Sequence, residues 1–126
     1  EGPGEKLSQL WMTNPAWRGI DSNLALKQSL RKLIDQHSWQ EIRSFGMMRL
    51  IDPPQTEEQL THIKTPTMIM FGDREMPAFK ACAKSLSDNL VNSTSVTLPD
   101  TDHLCLLQVP ELATTYIERH LSAHQR

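Results

Sequence analysis

Asp73, Glu75 and His103 carry the chemistry that this sequence offers most plainly. Gly72-Asp73-Arg74-Glu75-Met76-Pro77 sets two carboxylates directly after a short apolar run. Asp100-Thr101-Asp102-His103 sets an imidazole in a polar loop after a second run. A carboxylate that accepts a hydrogen bond from an imidazole Nδ1–H fixes the tautomer. It also stabilises the imidazolium formed when Nε2 takes a proton. By residue type alone either Glu75 or Asp73 can serve as that carboxylate, while Asp102 suits the shaping of the turn before His103. Plainer roles also fit: a loop histidine at 103, and a turn glutamate at 75 paired with Arg74 or Lys80.

Two strands must position these loops. Pro66-Thr67-Met68-Ile69-Met70-Phe71-Gly72 is a continuous apolar run closed by glycine, the pattern of a strand buried on both faces and therefore of a parallel sheet. Ser95-Val96-Thr97-Leu98, ended by Pro99, is a second short strand. In such sheets working residues gather at the carboxyl ends of the strands, so the acidic loop and the histidine loop share one edge. Thr56 and Gln59 form a capping box that opens a short helix to about Ile63. Pro77 can begin a helix whose inner face is Phe79, Cys82, Ala83 and Leu86. Pro110 opens a last helix, with Leu112, Tyr116, Ile117 and Leu121 on its apolar face. The order helix, strand, helix, strand, loop, helix is the tail of a doubly wound α/β sheet.

The first part of the chain reads as helical. Leu7, Leu10 and Trp11 form a short stripe that Asn14-Pro15 breaks. Asp21 or Ser22 can cap a second helix carrying Leu26, Leu30, Leu33 and Ile34 on one face. Trp39, Ile42 and Phe45 suggest a further short helix, and Pro53-Pro54 is a firm break. Trp11, Trp17 and Trp39, with Met12, Met47 and Met48, can either line an apolar pocket or pack these helices together.

Composition excludes several classes. The net charge is −2, and no Lys/Arg cluster forms a phosphate-binding stripe, so neither nucleic acid nor an anionic membrane is expected as a partner. The longest apolar run, Met68 to Phe71, falls far short of the about 20 residues of a spanning helix. Glu1-Gly2-Pro3-Gly4-Glu5-Lys6 lacks a signal peptide's apolar segment, which makes a cytoplasmic location the default expectation. His37, His62, His120 and His124 form no metal set, and Cys82 and Cys105 match no zinc or redox spacing. Both cysteines are expected free and buried, with a disulfide left open.

The segments around Asp73, Glu75 and His103 resemble the α/β-hydrolases. Ile63 through Pro77 looks like the strand that ends in that family's triad acid, which commonly falls three residues after the glycine. That position is Glu75 here, with Asp73 as the alternative acid. Val96 through His103, followed by Val109-Pro110-Glu111-Leu112, is similar to the histidine loop and final helix, and the family's general base falls on His103. The order acid before histidine agrees with the family's. The likeness covers Thr56 to about Leu121, and the Trp-containing helices resemble the variable lid. It implies a helical lid segment over residues 1–54 and, over 55–126, the C-terminal portion of a doubly wound, mostly parallel hydrolase sheet.

The implied function is hydrolysis of a small ester, thioester, lactone or related C–C bond, with no metal or organic cofactor. Trp11, Trp17 and Met76 are the candidates for contact with the small-molecule substrate. Two departures stand out. Glutamate occupies the acid position instead of the commoner aspartate, and none of Gly2, Gly4, Gly19, Gly46 and Gly72 belongs to a G-x-S-x-G elbow. The resemblance therefore implies that an N-terminal half, in the same or a separate chain, supplies the nucleophile and the oxyanion hole. The chain does not begin with Met, as expected of a start inside a longer reading frame. Alone it is expected to be inactive. An aspartate nucleophile in that other half, or a non-catalytic binding module on the same fold, are the alternatives.

Overall fold

A computed structural model describes residues 3–44, 46 and 56–125. Phe45, Met47, Met48 and Pro53-Pro54 lie outside the described residues. Packing divides the chain into two units, Glu1–Gln55 and Thr56–Arg126.

In the first unit α1 (Pro3–Met12), a 3₁₀ helix (Pro15–Ile20), α2 (Leu24–Asp35) and α3 (Gln40–Arg43) follow one another. Asn14 stops α1 and starts the 3₁₀ turn, its Oδ1 accepting from the Ala16 N–H at 2.9 Å while Pro15 fills the first position. The cap of α2 is Asn23, not Asp21 or Ser22, and its Oδ1 accepts from the Leu26 N–H at 3.0 Å. The core of this unit is small: Ala16, Ile20, Leu30 and Trp39 are buried. Ser8 is buried too. Its Oγ donates to the Ile34 carbonyl at 3.1 Å and accepts from Trp39 Nε1 at 3.3 Å, so α1, α2 and the residue before α3 meet through one hydroxyl. Trp39 has a φ of 55°, a left-handed backbone that a bulky residue adopts only when its surroundings fix it. The stripes expected on α1 and α2 are only partly covered, since Leu10 and Leu33 lie on the surface.

The second unit contains α4 (Glu57–Leu60), β1 (Thr67–Gly72), α5 (Pro77–Asn89), β2 (Ser93–Leu98), α6 (Cys105–Gln108) and α7 (Pro110–Ala123). It is a mixed α/β arrangement with, among the described residues, a two-stranded parallel sheet. The strands pair in register from Thr67 with Ser93 to Gly72 with Leu98. The α5 crossover makes that possible, because parallel strands need a connection long enough to return the chain to the same end. Period-2 alternation sorts the side chains. Ile69 and Phe71 face Ala83 and Leu90, with Leu60 beside them. Met70, Val96 and Leu98 face Cys105, Val109, Ala113 and Tyr116. The apolar run of β1 is thus met by helices on both of its faces, although only Ile69 and Gly72 within it are fully buried.

The helices bury less than their patterns predict. In α5 the buried position is Ala83, while Phe79, Cys82 and Leu86 are exposed. In α7 it is Ala113, with Leu112, Ile117 and Leu121 exposed and Tyr116 half-covered. A pair of strands offers each helix a narrow floor, and a small alanine lets the helix approach it closely. Cys105 is buried and Cys82 is not, and both are free thiols. Among the described residues no helix is long and apolar enough to cross a membrane.

Candidate active site

The two loops at the carboxyl ends of β1 and β2 continue the strand pairing after the strands end. The Asp73 N–H donates to the Leu98 carbonyl at 3.0 Å and the Arg74 N–H to the Thr101 carbonyl at 2.8 Å. The Glu75 N–H then closes a turn on Gly72 at 3.2 Å. This turn sends the two carboxylates to different places. Asp73 reaches across to the histidine loop, its Oδ1 accepting from the Thr101 N–H at 3.2 Å. Backbone N–H groups of Asp100 and Thr101, with the charges of Arg74 and Lys80 behind them, hold the Asp73 carboxyl below its ordinary value. Glu75 turns inward and is buried. Its Oε1 accepts from the Met76 N–H at 2.8 Å, and its Oε2 lies 2.8 Å from His103 Nδ1.

Each sequence-derived candidate can therefore be placed. Glu75 and His103 meet. Asp73 braces the loop that carries His103. Asp102 shapes the turn: its carbonyl accepts from the Cys105 N–H at 3.1 Å and its Oδ1 from the Leu104 N–H at 3.4 Å. Arg74 pairs with Asp100, and Lys80 Nζ donates to the Asp73 carbonyl, so neither basic residue is the partner of Glu75 in a surface ion pair. Met76 is half-buried beside the dyad as the N-cap of α5. Trp11 and Trp17, in the first unit, are half-buried and stacked with ring centroids 4.2 Å apart, and Trp17 Nε1 donates to the Trp11 carbonyl at 2.6 Å.

The dyad's chemistry follows from its geometry. An ionised carboxylate only accepts hydrogen bonds, so this contact suits the tautomer with its proton on His103 Nδ1, which leaves the Nε2 lone pair for proton transfer. The His103 side chain keeps 29% of its surface while the Glu75 side chain keeps 5%, so the acid sits behind and the imidazole faces outward. That is the order needed to pass a proton at Nε2 while the acid holds Nδ1.

Several contributors were not legible in the sequence. Gly72 lies so close under the histidine loop that a Cβ there would stand 2.3 Å from the Thr101 carbonyl oxygen. Thr101 is buried, and its Oγ1 donates to the Leu98 carbonyl at 3.0 Å. Gln108, from α6, accepts from the Asp102 N–H at 2.9 Å. The Phe79 ring lies against His103, with centroids 4.3 Å apart. Only the glycine closing the apolar run gave any hint, as a place of close backbone approach.

Elsewhere, a cavity of about 580 Å³ is lined by Thr65, Pro66, His120, Leu121, Ala123 and His124 among others. It lies at the amino end of β1, away from the dyad. Among the described residues no group of three or more His, Cys, Asp or Glu side chains could hold a metal ion. Comparison with known proteins finds no matching family model, no matching curated protein and no matching solved structure.

Proposed function

We propose that this chain is the C-terminal part of an α/β-hydrolase and supplies the acid and the general base of its catalytic triad. The observation that carries the reading is the 2.8 Å contact between Glu75 Oε2 and His103 Nδ1 at the carboxyl ends of two adjacent parallel strands. On this reading His103 Nε2 takes the proton of a nucleophile as that nucleophile attacks a small ester, thioester, lactone or related C–C bond. His103 then returns the proton to the leaving group, and Glu75 holds the tautomer and balances the imidazolium. The nucleophile and the oxyanion donors belong to a segment outside this sequence. The β1–β2 pair is one portion of a larger doubly wound sheet, and the Trp-containing helices are the lid. The reaction calls on no organic cofactor or metal.

Intact-mass and sequencing analysis of the native protein, under conditions that retain partner chains, tests this. The expected result is that the chain bearing His103 is continuous with, or travels with, a segment carrying a G-x-S-x-G-type elbow or its aspartate variant. A native species consisting of this chain alone would end the triad reading. The lack of any elbow among the glycines of this sequence favours one second reading, a ligand-binding module on the same fold. That reading predicts saturable ligand binding without turnover.

A further inference from the structure

We propose that Phe79 is a positioning residue for His103. This role rests on His103 being the general base. The contact with Glu75 sets one ring nitrogen, and a surface against the ring face restrains rotation of the imidazole plane about the Nδ1–H···Oε2 axis. Phe79 supplies such a surface: its ring lies 4.3 Å from the His103 ring, tilted by 41°.

The local fold fixes both contacts at once. Glu75 and Phe79 are four residues apart in the turn that opens α5. Glu75 Oε1 accepts from the Met76 N–H at 2.8 Å, Pro77 holds the first helical position, and the Lys80 N–H closes the first turn on the Met76 carbonyl at 3.1 Å. The acid and the aromatic ring are therefore carried on one short, internally bonded stretch, and His103 enters between them from β2. Packing in the core does not account for the placement. Phe79 keeps 41% of its surface exposed, whereas the helix buries Ala83. A phenyl ring held at the surface against an imidazole face gains a directional aromatic contact, and it also favours the cationic ring formed during proton transfer.

The test reads His103 directly in the full chain. Acylation of each of the five histidines by diethyl pyrocarbonate is followed by peptide mass spectrometry, and the His103 ring protons by NMR. Phe79→Ala is expected to speed acylation of His103 about 2- to 10-fold, the range that loss of one aromatic contact supports. It is also expected to move the His103 ring protons downfield as the ring current is lost. Phe79→Tyr, which keeps the aromatic face, restores both readouts. Phe79→Leu, which keeps apolar bulk, restores neither and guards against simple loss of folding. Unchanged acylation and ring shifts in Phe79→Ala, or failure of Phe79→Tyr to restore them, overturns the proposal. In the complete protein the same Ala variant lowers kcat and leaves KM in place. If instead His103→Ala retains full activity, the general-base reading falls, while the acylation and NMR results still report whether Phe79 orients the ring.

Discussion

Gly72 and Thr101 are packed backbone on backbone: a Cβ on Gly72 would stand 2.3 Å from the Thr101 carbonyl oxygen and 2.6 Å from that of Asp102. Neither oxygen sits on a flexible side chain that can swing aside. Gly72→Ala must therefore push the histidine loop away from the end of β1 and break the Arg74 N–H to Thr101 carbonyl bond. The expected cost is about 1–3 kcal/mol, the range for overpacking a rigid site. Urea unfolding of the variant and the parent measures it. An Ala variant as stable as the parent would show that the loops can separate freely.

Glu75 accepts two hydrogen bonds with its two oxygens, and that limits what can replace it. Glu75→Gln keeps the shape. Its oxygen can satisfy the Met76 N–H, but the amide nitrogen then faces His103 Nδ1 and donates, which forces the imidazole proton onto Nε2. On the proposed hydrolase reading, kcat of the complete protein is expected to fall by about four orders of magnitude, as the wrong tautomer dictates. Glu75→Asp lacks the methylene that lets one carboxylate span both partners, and is expected to retain more activity than the Gln variant. ¹⁵N NMR of the His103 ring reports the tautomer independently of turnover. A ring that keeps its proton on Nδ1 in Glu75→Gln would contradict this account.

The reach of the sequence can be judged from particular residues. Met68 to Phe71 marks β1 because a continuous apolar run fits a strand with helices on both faces, and Pro77 marks the start of α5 through its fixed φ and missing N–H. Residue type alone leaves Asp73 and Glu75 open and only the resemblance points to Glu75, since the geometry that separates them depends on the turn from Gly72 to Glu75 and on Thr101 waiting across the gap. The inner face of α5 misled because Phe79, Cys82 and Leu86 share a helical stripe with Ala83, yet only the alanine meets the narrow two-stranded floor. The 3₁₀ helix at Pro15–Ile20 leaves no 3.6-residue pattern, and α6 is a single turn. Contacts such as Phe79 with His103 join distant segments and have no local signature.

Asp73 makes the histidine loop sensitive to acid. Its carboxyl is held below the ordinary value of 3.8, first by the Asp100 backbone N–H and then by that of Thr101. The unfolded chain therefore binds this proton at a higher pH than the folded one. The contribution is complete above the ordinary aspartate value and is lost as pH falls through the lower folded value. Asp73→Asn keeps an oxygen for Thr101 and removes the titration. Its stability curve is expected to be flatter than the parent's below about pH 4. Identical acid limbs for the two proteins would remove Asp73 from the account.

The two thiols should behave as opposites. Burial raises the Cys105 thiol above its ordinary value, whereas Cys82 is exposed on α5. A thiol-reactive disulfide at pH 8 is expected to modify Cys82 in the folded chain and to reach Cys105 slower by about two orders of magnitude or more, through opening of the α6–β2 core. Peptide mapping after partial labelling distinguishes them. Equal rates would mean that Leu98, Cys105 and Ala113 do not form a closed cluster.

The last prediction concerns what covers the sheet. Parallel sheets are buried on both faces and along most edges, because their backbone groups and apolar side chains find partners there. Here β1 pairs only with β2 among the described residues, and its residues other than Ile69 and Gly72 are half-covered. On the neighbouring helices Leu86, Leu112, Ile117 and Leu121 keep between 36% and 56% of their surface. If these features await the strands and helices of an N-terminal half, the chain studied alone should bind a hydrophobic dye and sediment as concentration-dependent oligomers. Addition of the elbow-bearing segment should abolish both. A monomer that unfolds in a single two-state step and binds no dye would show that the two-stranded unit is sufficient in itself, and the proposal of a missing half would then lose its structural basis.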